Sequence, residues 1–264
     1  MKPENWKTGT FLSALVLVVV VLFLWYAGHV TEFSGGALVS GLPALWNLLK
    51  SFLVPDVSAK WLATALAGIW MTLVMAALGT AIAVMISFPL SFLAAKNVAG
   101  KSPAGLALYW IVRTIFNVFR TLDAMVLAIL FVAAVGPGTF PGVLALVVHS
   151  IGYLGKLFSE AIEEVDPGIV EAVEATGAGP LQVIRYGILP QVAPYFWGFA
   201  LFRMDANVRM STVLGLVGAG GIGYYLMETI HLFEYRQAGT LLWEIGLVVA
   251  AFDALSAYVR HRMK

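Results

Sequence analysis

The chain has 264 residues, no cysteine, 60% apolar and 12% charged residues, and a formal net charge of +1. Soluble domains carry roughly a quarter charged residues, about twice this share, so lipid is the solvent for most of the chain. The near-zero charge argues against a nucleic-acid partner, and the absence of cysteine excludes disulfides and thiolate metal sites.

A membrane span needs about 20 mostly apolar residues. Six stretches qualify, at roughly 10–28, 62–94, 106–135, 141–158, 193–217 and 239–259. The first has Lys2 and Lys7 ahead of an apolar core. That core is too long for a signal peptide and no A-x-A-like site follows, so it reads as a true span. The second and third exceed one span, which predicts a tilt or an extension past the bilayer. Residues 29–60, with Gly35-Gly36, Pro43, Pro55 and the run LPALWNLL, suit an interfacial helix flanked by loops. The organisation expected is an N-terminal span plus external segment over 1–60 and a membrane core over 61–264.

Lys and Arg in short loops set orientation. With the N-terminus inside, the inner segments hold Lys2, Lys7, Lys96, Lys101, Lys156, Arg185, Arg260, Arg262 and Lys264. The outer ones hold only Lys50, Lys60 and Arg236. Both termini are therefore predicted to be cytoplasmic.

Two stretches imitate nucleotide motifs. AKNVAGKS (95–102) approaches a P-loop but has Ala95 for the first glycine, follows a span and runs into Pro103. A P-loop needs a strand before it, and a short basic inner loop explains Lys96 and Lys101. GAGGIG (218–223) fits G-x-G-x-x-G, yet all around it is membrane helix rather than a βαβ unit. Glycines that let backbones approach, or that break a helix in a protein-lined cavity, are the better reading.

Between the fourth and fifth spans the apolar pattern stops at VEAVEATGAGPLQVIRYGILP (170–190). Asp166 and Pro167 form a helix start, and Gly177 supplies the left-handed residue that ends it. Gly179-Pro180 turns the chain into a second short helix, LQVIRYGI, ending near Pro190. Ile169, Val170, Val173 and Thr176 make an apolar stripe beside Glu171 and Glu174. A helix on anionic lipid would carry Lys or Arg, so this acidic one suits a protein partner with basic groups.

The stretch resembles the EAA loop of ABC importer permeases, E-A-A-x-x-x-G followed at fixed distance by Leu-Pro. Glu171, Ala172, Gly177, Leu189 and Pro190 fall on that pattern, with Val173 for the second alanine and Gly187 where isoleucine is usual. In that family the loop is a coupling helix seated in a groove of a separate ATPase, and Glu174 lies beside it here. The resemblance covers roughly residues 60 to 260. It is closest to phosphonate and phosphite importer permeases, on HSIGYLGKLFSEAIEEVDPG (149–168) and NVRMSTVLGLVGAGGIG (207–223). One departure is Asp123, where the family usually has proline.

The resemblance implies an all-α permease with six transmembrane helices and a cytoplasmic EAA loop, in the bacterial inner membrane, working as a homodimer. Its partners would be two cytoplasmic ATPases and an external substrate-binding protein. ATP and Mg would be bound by the ATPase, so no cofactor and no catalytic residue is expected in this chain. The cargo it implies is a phosphorus oxyanion, with methionine or another oxyanion as alternatives.

Intramembrane charge points the same way, since a charged side chain inside the bilayer suggests function. Arg113, Asn117, Arg120 and Ala124 follow helical spacing on the third span. On the fifth, Arg203 and Asn207 share one face, while Asp205 and Arg209 form a neutralising i, i+4 pair on another. Arg120 and Asp123 invite the same pairing. Arg113 and Arg203 have no such near partner and are candidates for contact with a passing anion or for pairing between subunits. Ser211 and the glycines Gly218, Gly220 and Gly221 would lie near the outer gate. His149 reads as a hydrogen-bonded packing residue, and no metal-spaced histidine cluster exists. A membrane enzyme is the rival class, but its acids could only be Glu163, Glu164 and Asp166, which the helix start explains.

Overall fold

The computed structural model describes residues 6–262 apart from Lys101. Lys2, Lys101 and Lys264, three of the inner cations counted above, lie outside the described residues, as do the side chains of Lys7, Arg260 and Arg262. Among the described residues every regular element is helical. The chain divides into two compact units, Met1–Lys50 and Ser51–Lys264.

The first unit holds α1 (Trp6–Val30) and most of α2 (Gly35–Leu53). From Leu15 to Tyr26 the apolar side chains of α1 are exposed, as lipid-facing side chains are. In α2, Lys50 Nζ lies 5.4 Å over the Trp46 ring, an arrangement that suits an interfacial helix.

In the second unit, α3 (Ala59–Leu93) is a 35-residue helix. At 1.5 Å per residue it runs about 52 Å, well beyond the roughly 30 Å hydrocarbon core. The excess predicted for this stretch is therefore continuous helix. A short α4 (Lys96–Ala99) leads to α5 (Pro103–Thr121), which Ser102 caps by accepting from Gly105 N at 3.1 Å.

The third predicted span is not one helix. Leu122 and Asp123 are extended, α6 (Ala124–Val135) follows, and the two helices meet at 88°. Asp123 causes the break: its carboxylate accepts from Met125 N at 2.7 Å, an N-cap that begins a new helix. Ala124 therefore leaves the face carrying Arg113, Asn117 and Arg120, and the four-residue stripe read from the sequence stops at Arg120.

α7 (Thr139–Glu163) is the central element, packed by α3, α5, α6 and α10 (Leu189–Gly215). Its small residues allow this. A Cβ on Gly152 would meet Arg120 N at 2.4 Å, so α5 can lie this close only against glycine. Phe116, Phe158 and Phe196 fill the core nearby, with Phe158 and Phe196 stacked at 4.2 Å. Lipid offers no hydrophobic drive between helices, so this close packing is what holds them.

After α7 come α8 (Pro167–Ala175) and α9 (Pro180–Val183). The second short helix does not end near Pro190. A π-helical turn over Ile184–Ile188 carries it directly into α10, with Leu189 N donating to Ile184 O. The wide turn accommodates Pro190, which lacks the N–H a regular helix would use. Beyond a glycine loop, α11 (Ile222–His231) and α12 (Tyr235–Arg262) complete the chain.

All six predicted apolar stretches fall on helices. By length and hydropathy, three of the described helices could cross a membrane alone, and the bent pair α5–α6 makes a fourth. α10 and α12 are as long, but carry charges in their middle turns.

Candidate functional site

At the foot of the bundle, Asp166 accepts from Gly168 N at 2.8 Å and Pro167 opens α8. Gln191 fixes the approach of α8 to α10. Its Oε1 accepts from Asp166 N at 3.0 Å, and its Nε2 donates to Gly187 O at 2.6 Å. Gly187, where isoleucine is usual, lies against α8, since a Cβ there would sit 3.5 Å from Val170 Cα. Gly177 has φ +80°, the left-handed conformation required of it. Gln182 Oε1 then accepts from Gly179 N at 2.8 Å to begin α9.

Two open clefts flank α8. One of about 890 Å³ is lined by Ile169, Ala172, Val173, Thr176, Gln182 and Tyr186. The other, about 620 Å³, is lined by Asn97, Glu163, Val170, Glu171, Glu174 and Ile184 among others. Ile169, Leu181 and Tyr186 are exposed around them, as are Glu171 and Ala172. Leu189 is half-buried and Pro190 exposed, both at the root of α10 rather than on α8.

Arg113 finds its partner fifty residues away. Its Nη1 donates to Glu163 Oε1 at 2.8 Å, and its Nη2 lies 3.8 Å from Glu160. Glu163 Oε1 also accepts from Lys96 N at 2.9 Å, and Asn97 Nδ2 donates to Ile162 O at 2.7 Å. The stretch that imitated a P-loop is thereby pinned to the end of α7, with three residues between that end and α8. Arg120 is exposed on α5, and Asp123 caps α6.

In mid-bundle, Arg203 is 4% exposed and Asn207 is fully buried. Arg203 Nε donates to Ser150 Oγ at 2.8 Å, and its guanidinium lies 5.2 Å over the Tyr153 ring. Asn207 Nδ2 donates to Thr80 Oγ1 at 2.8 Å and Ser150 Oγ at 3.0 Å. Among the described residues no carboxylate comes within 4.0 Å of Arg203, and its Nη2 has no hydrogen-bond partner. A charge at mid-bilayer costs about 2.5–3.5 kcal/mol even on insertion scales, so an arginine held without an acid is notable.

The expected Asp205–Arg209 pair forms at 2.9 Å, and Arg209 also donates to Asp253 on α12 at 2.8 Å. His149 is a packing histidine whose Nδ1 meets Leu122 O at 2.9 Å.

Toward the other end, Ser211 Oγ bonds Asn207 O at 2.6 Å and Thr72 O at 3.3 Å. Gly218, Gly220 and Gly221 all have φ between +72° and +85° and form the loop from α10 to α11. Gly138 N donates to Gly218 O at 2.9 Å, and Ile222 N to Thr72 Oγ1 at 2.8 Å. The loop is thus stitched to α7 and α3. Thr72→Val keeps the shape but orphans the buried Ile222 N–H, so it is expected to cost about 1–3 kcal/mol. A lowered unfolding midpoint of the solubilised protein would register this, and an unchanged one would refute it.

Sequence reasoning paired none of Ser150, Tyr153, Thr80, Glu163 and Asp253 with the residues they meet. Each meets its partner across helices, where no spacing rule applies. Ser150, Tyr153 and Glu163 lie inside the block 149–168 already singled out, but nothing in it pointed to their partners.

Residues 87–263 match the family described as "Binding-protein-dependent transport system inner membrane component". The chain is 41% identical over 253 residues to the phosphite transport system permease protein PtxC of Stutzerimonas stutzeri, covering 95% of this chain and 88% of that protein. It is 48% identical over 117 residues to the putative cryptic phosphonate transport system permease protein PhnE2 of Escherichia coli, 44% of this chain and 96% of that one. Similarity to the probable D-methionine permease MetI of Vibrio cholerae is lower, 31% over 219 residues, 77% of this chain and 97% of that protein. Among solved structures, a chain of the inward-facing MetNI methionine ABC transporter shares the fold, with a TM-score of 0.69 at 24% identity, covering 79% of this chain and all of that one.

Proposed function

The chain belongs to the family of inner membrane components of binding-protein-dependent transport systems, and we propose that it carries a phosphorus oxyanion, phosphite or a phosphonate, into the cell. It is a permease subunit of an ABC importer, a transport protein rather than an enzyme. The cargo assignment rests on one observation: likeness to phosphite and phosphonate permeases is stronger than likeness to methionine permeases.

In this reading α1, α3, the bent pair α5–α6, α7, α10 and α12 are six crossings with both termini cytoplasmic. Lys and Arg crowd the segments this orientation puts inside. Two copies pair about a twofold axis, because one chain offers half of a symmetric path. α8 is the coupling helix, and its Glu171, Ala172, Glu174 and Gly177 region docks a cytoplasmic ATPase, with Leu189 and Pro190 at its root. Arg113 and Glu163 hold the α3–α5 connection against the base of α8, so ATPase movement is delivered to several helices together. The Ser211 region and the glycines of 218–221 belong to the outer gate, facing an external binding protein. The neutralised Asp205–Arg209–Asp253 set joins α10 to α12, and the exposed Arg120 lies on the path side of α5.

The test is ATPase activity of the reconstituted complex, with its binding protein loaded in turn with phosphite, methylphosphonate, phosphate, sulfate and methionine. Stimulation by a phosphorus oxyanion is the expected result. Stimulation by methionine alone would keep the importer and discard the cargo. No effect of this chain on any ATPase would remove the importer reading.

A further inference from the structure

The Arg203 node has a property that transport by itself does not require: a buried cation with no acid within 4.0 Å among the described residues. Arg203 is 4% exposed, its Nε is taken by Ser150, and its Nη2 is enclosed yet without a partner. The nearest acid along the helix, Asp205, is drawn to Arg209 at 2.9 Å. In place of a counter-ion, Arg203 has the face of Tyr153 at 5.2 Å, a cation–π contact that softens the charge without neutralising it.

Around it the side chains are small and offer hydrogens. Ser150 is fully buried, Asn207 Nδ2 donates to it, and the same amide donates on to Thr80 Oγ1. The contacts that close the node are exchangeable. Ser150 Oγ donates to Asn207 Oδ1 at only 3.3 Å while accepting from Arg203 and Asn207. If α7 and α10 move apart, Ser150 separates from Arg203, and the fork of N–H donors turns to whatever acceptor is present.

We propose that Arg203, Ser150 and Asn207 form an oxyanion half-site within the permease, closed in this conformation and opened when α7 and α10 part. It rests on the importer reading above. The chemistry selects the ligand class. An arginine fork matches a planar pair of oxygens on a tetrahedral anion, and the hydroxyl and amide add donors to the remaining oxygens. A zwitterionic amino acid would also need an acceptor for its ammonium, and the acid at Asp205 is already engaged. Tyr153 and Ser150 reclaim the guanidinium once the anion leaves, which keeps the hold weak enough for passage.

The chain has no cysteine, so Ser150→Cys places a single thiol beside Arg203 with little change in volume. The Ser150→Cys permease is reconstituted with its ATPase and binding protein, and its labelling by an anionic methanethiosulfonate is followed by the mass of the permease chain. Uptake of radiolabelled phosphite by the wild-type complex is measured in parallel. The expected result is slow labelling at rest, faster labelling during ATP turnover, and a roughly tenfold or greater slowing when phosphite is being carried. Adding Arg203→Gln should remove that protection, and in the wild-type background should lower uptake roughly ten- to a hundredfold, with Arg203→Lys retaining part.

Phosphite uptake without protection overturns the half-site, and so does protection that survives Arg203→Gln. If the wild type carries a different oxyanion, the cargo assignment falls and the same protection test is read with that anion. If it carries only methionine, both fall.

Discussion

Glu171→Lys and Gly177→Asp are each expected to abolish ATP-driven uptake while the permease still inserts in the membrane. Glu171 is exposed on α8, and an exposed substitution away from caps and ion pairs usually changes stability by about 0.5 kcal/mol or less. Loss of uptake would therefore report on docking rather than on folding. Gly177 acts through the backbone: at φ +80° an L-residue is disfavoured by about 1–2 kcal/mol. Its aspartate would also place a negative charge at the carboxyl end of α8, against the helix dipole. Both changes leave the aromatic core around Phe116, Phe158 and Phe196 untouched. Co-purification of the ATPase with each variant, and uptake into vesicles, are the measurements. Retention of both in both variants would falsify the coupling assignment.

The two clefts beside α8 give this prediction its physical content. Ile169, Ala172 and Thr176 border one and Glu171 and Glu174 border the other, so the helix stands proud with an apolar flank and an acidic flank. A groove that received it would need apolar walls on one side and cations on the other. Lysine at 171 reverses the second requirement and leaves the first intact.

What could be read from the sequence was local. Asp166-Pro167, Gly177 and Gly179-Pro180 each act on the next few residues, and the structure uses them as capping and turn chemistry require. The apolar stretches were legible for the same reason: a span is a property of consecutive residues. The break at Asp123 was also local, yet the apolar pattern runs straight across it and concealed it. Hydropathy cannot distinguish a straight helix from two helices at 88°, whereas an Asp followed by an apolar run is a cap signal. At Pro190 the opposite error arose, because proline ends a regular helix but the π-helical turn at Ile184–Ile188 lets this one continue.

The i, i+4 pair Asp205–Arg209 was legible, but the pairings between helices were not. Arg113 looked isolated because its acid is Glu163, on another helix, and Arg209 has a second acid in Asp253. Arg203 looked like Arg113 in the sequence, and only the packing separates them. One meets two glutamates near the bundle foot, the other a serine and a tyrosine ring in the interior. That difference argues for a structural clamp at Arg113 and an anion contact at Arg203.

Gly220→Leu is expected to reduce uptake to background, with Gly220→Ala lowering it in the same direction but less. A Cβ at residue 220 would lie 2.6 Å from Thr139 Cγ2 and 3.0 Å from Thr139 Cα and N, so the obstacle includes backbone that cannot rotate away. The φ of +79° adds the left-handed penalty, about 1–2 kcal/mol for any L-residue. To relieve both, the loop must lift from the start of α7, stretching the Gly138–Gly218 and Thr72–Ile222 bonds that hold it to α7 and α3. In the proposed gate, those bonds would keep the loop in register with α7 and α3. The aromatic core around Phe158, toward the other end of α7, does not depend on them, so the variant should still reach the membrane and bind its ATPase. Uptake by Gly220→Leu at the wild-type rate would sink the gate assignment. Disappearance of the protein from the membrane would instead make Gly220 a folding residue, since the glycine would then be needed before any gating begins.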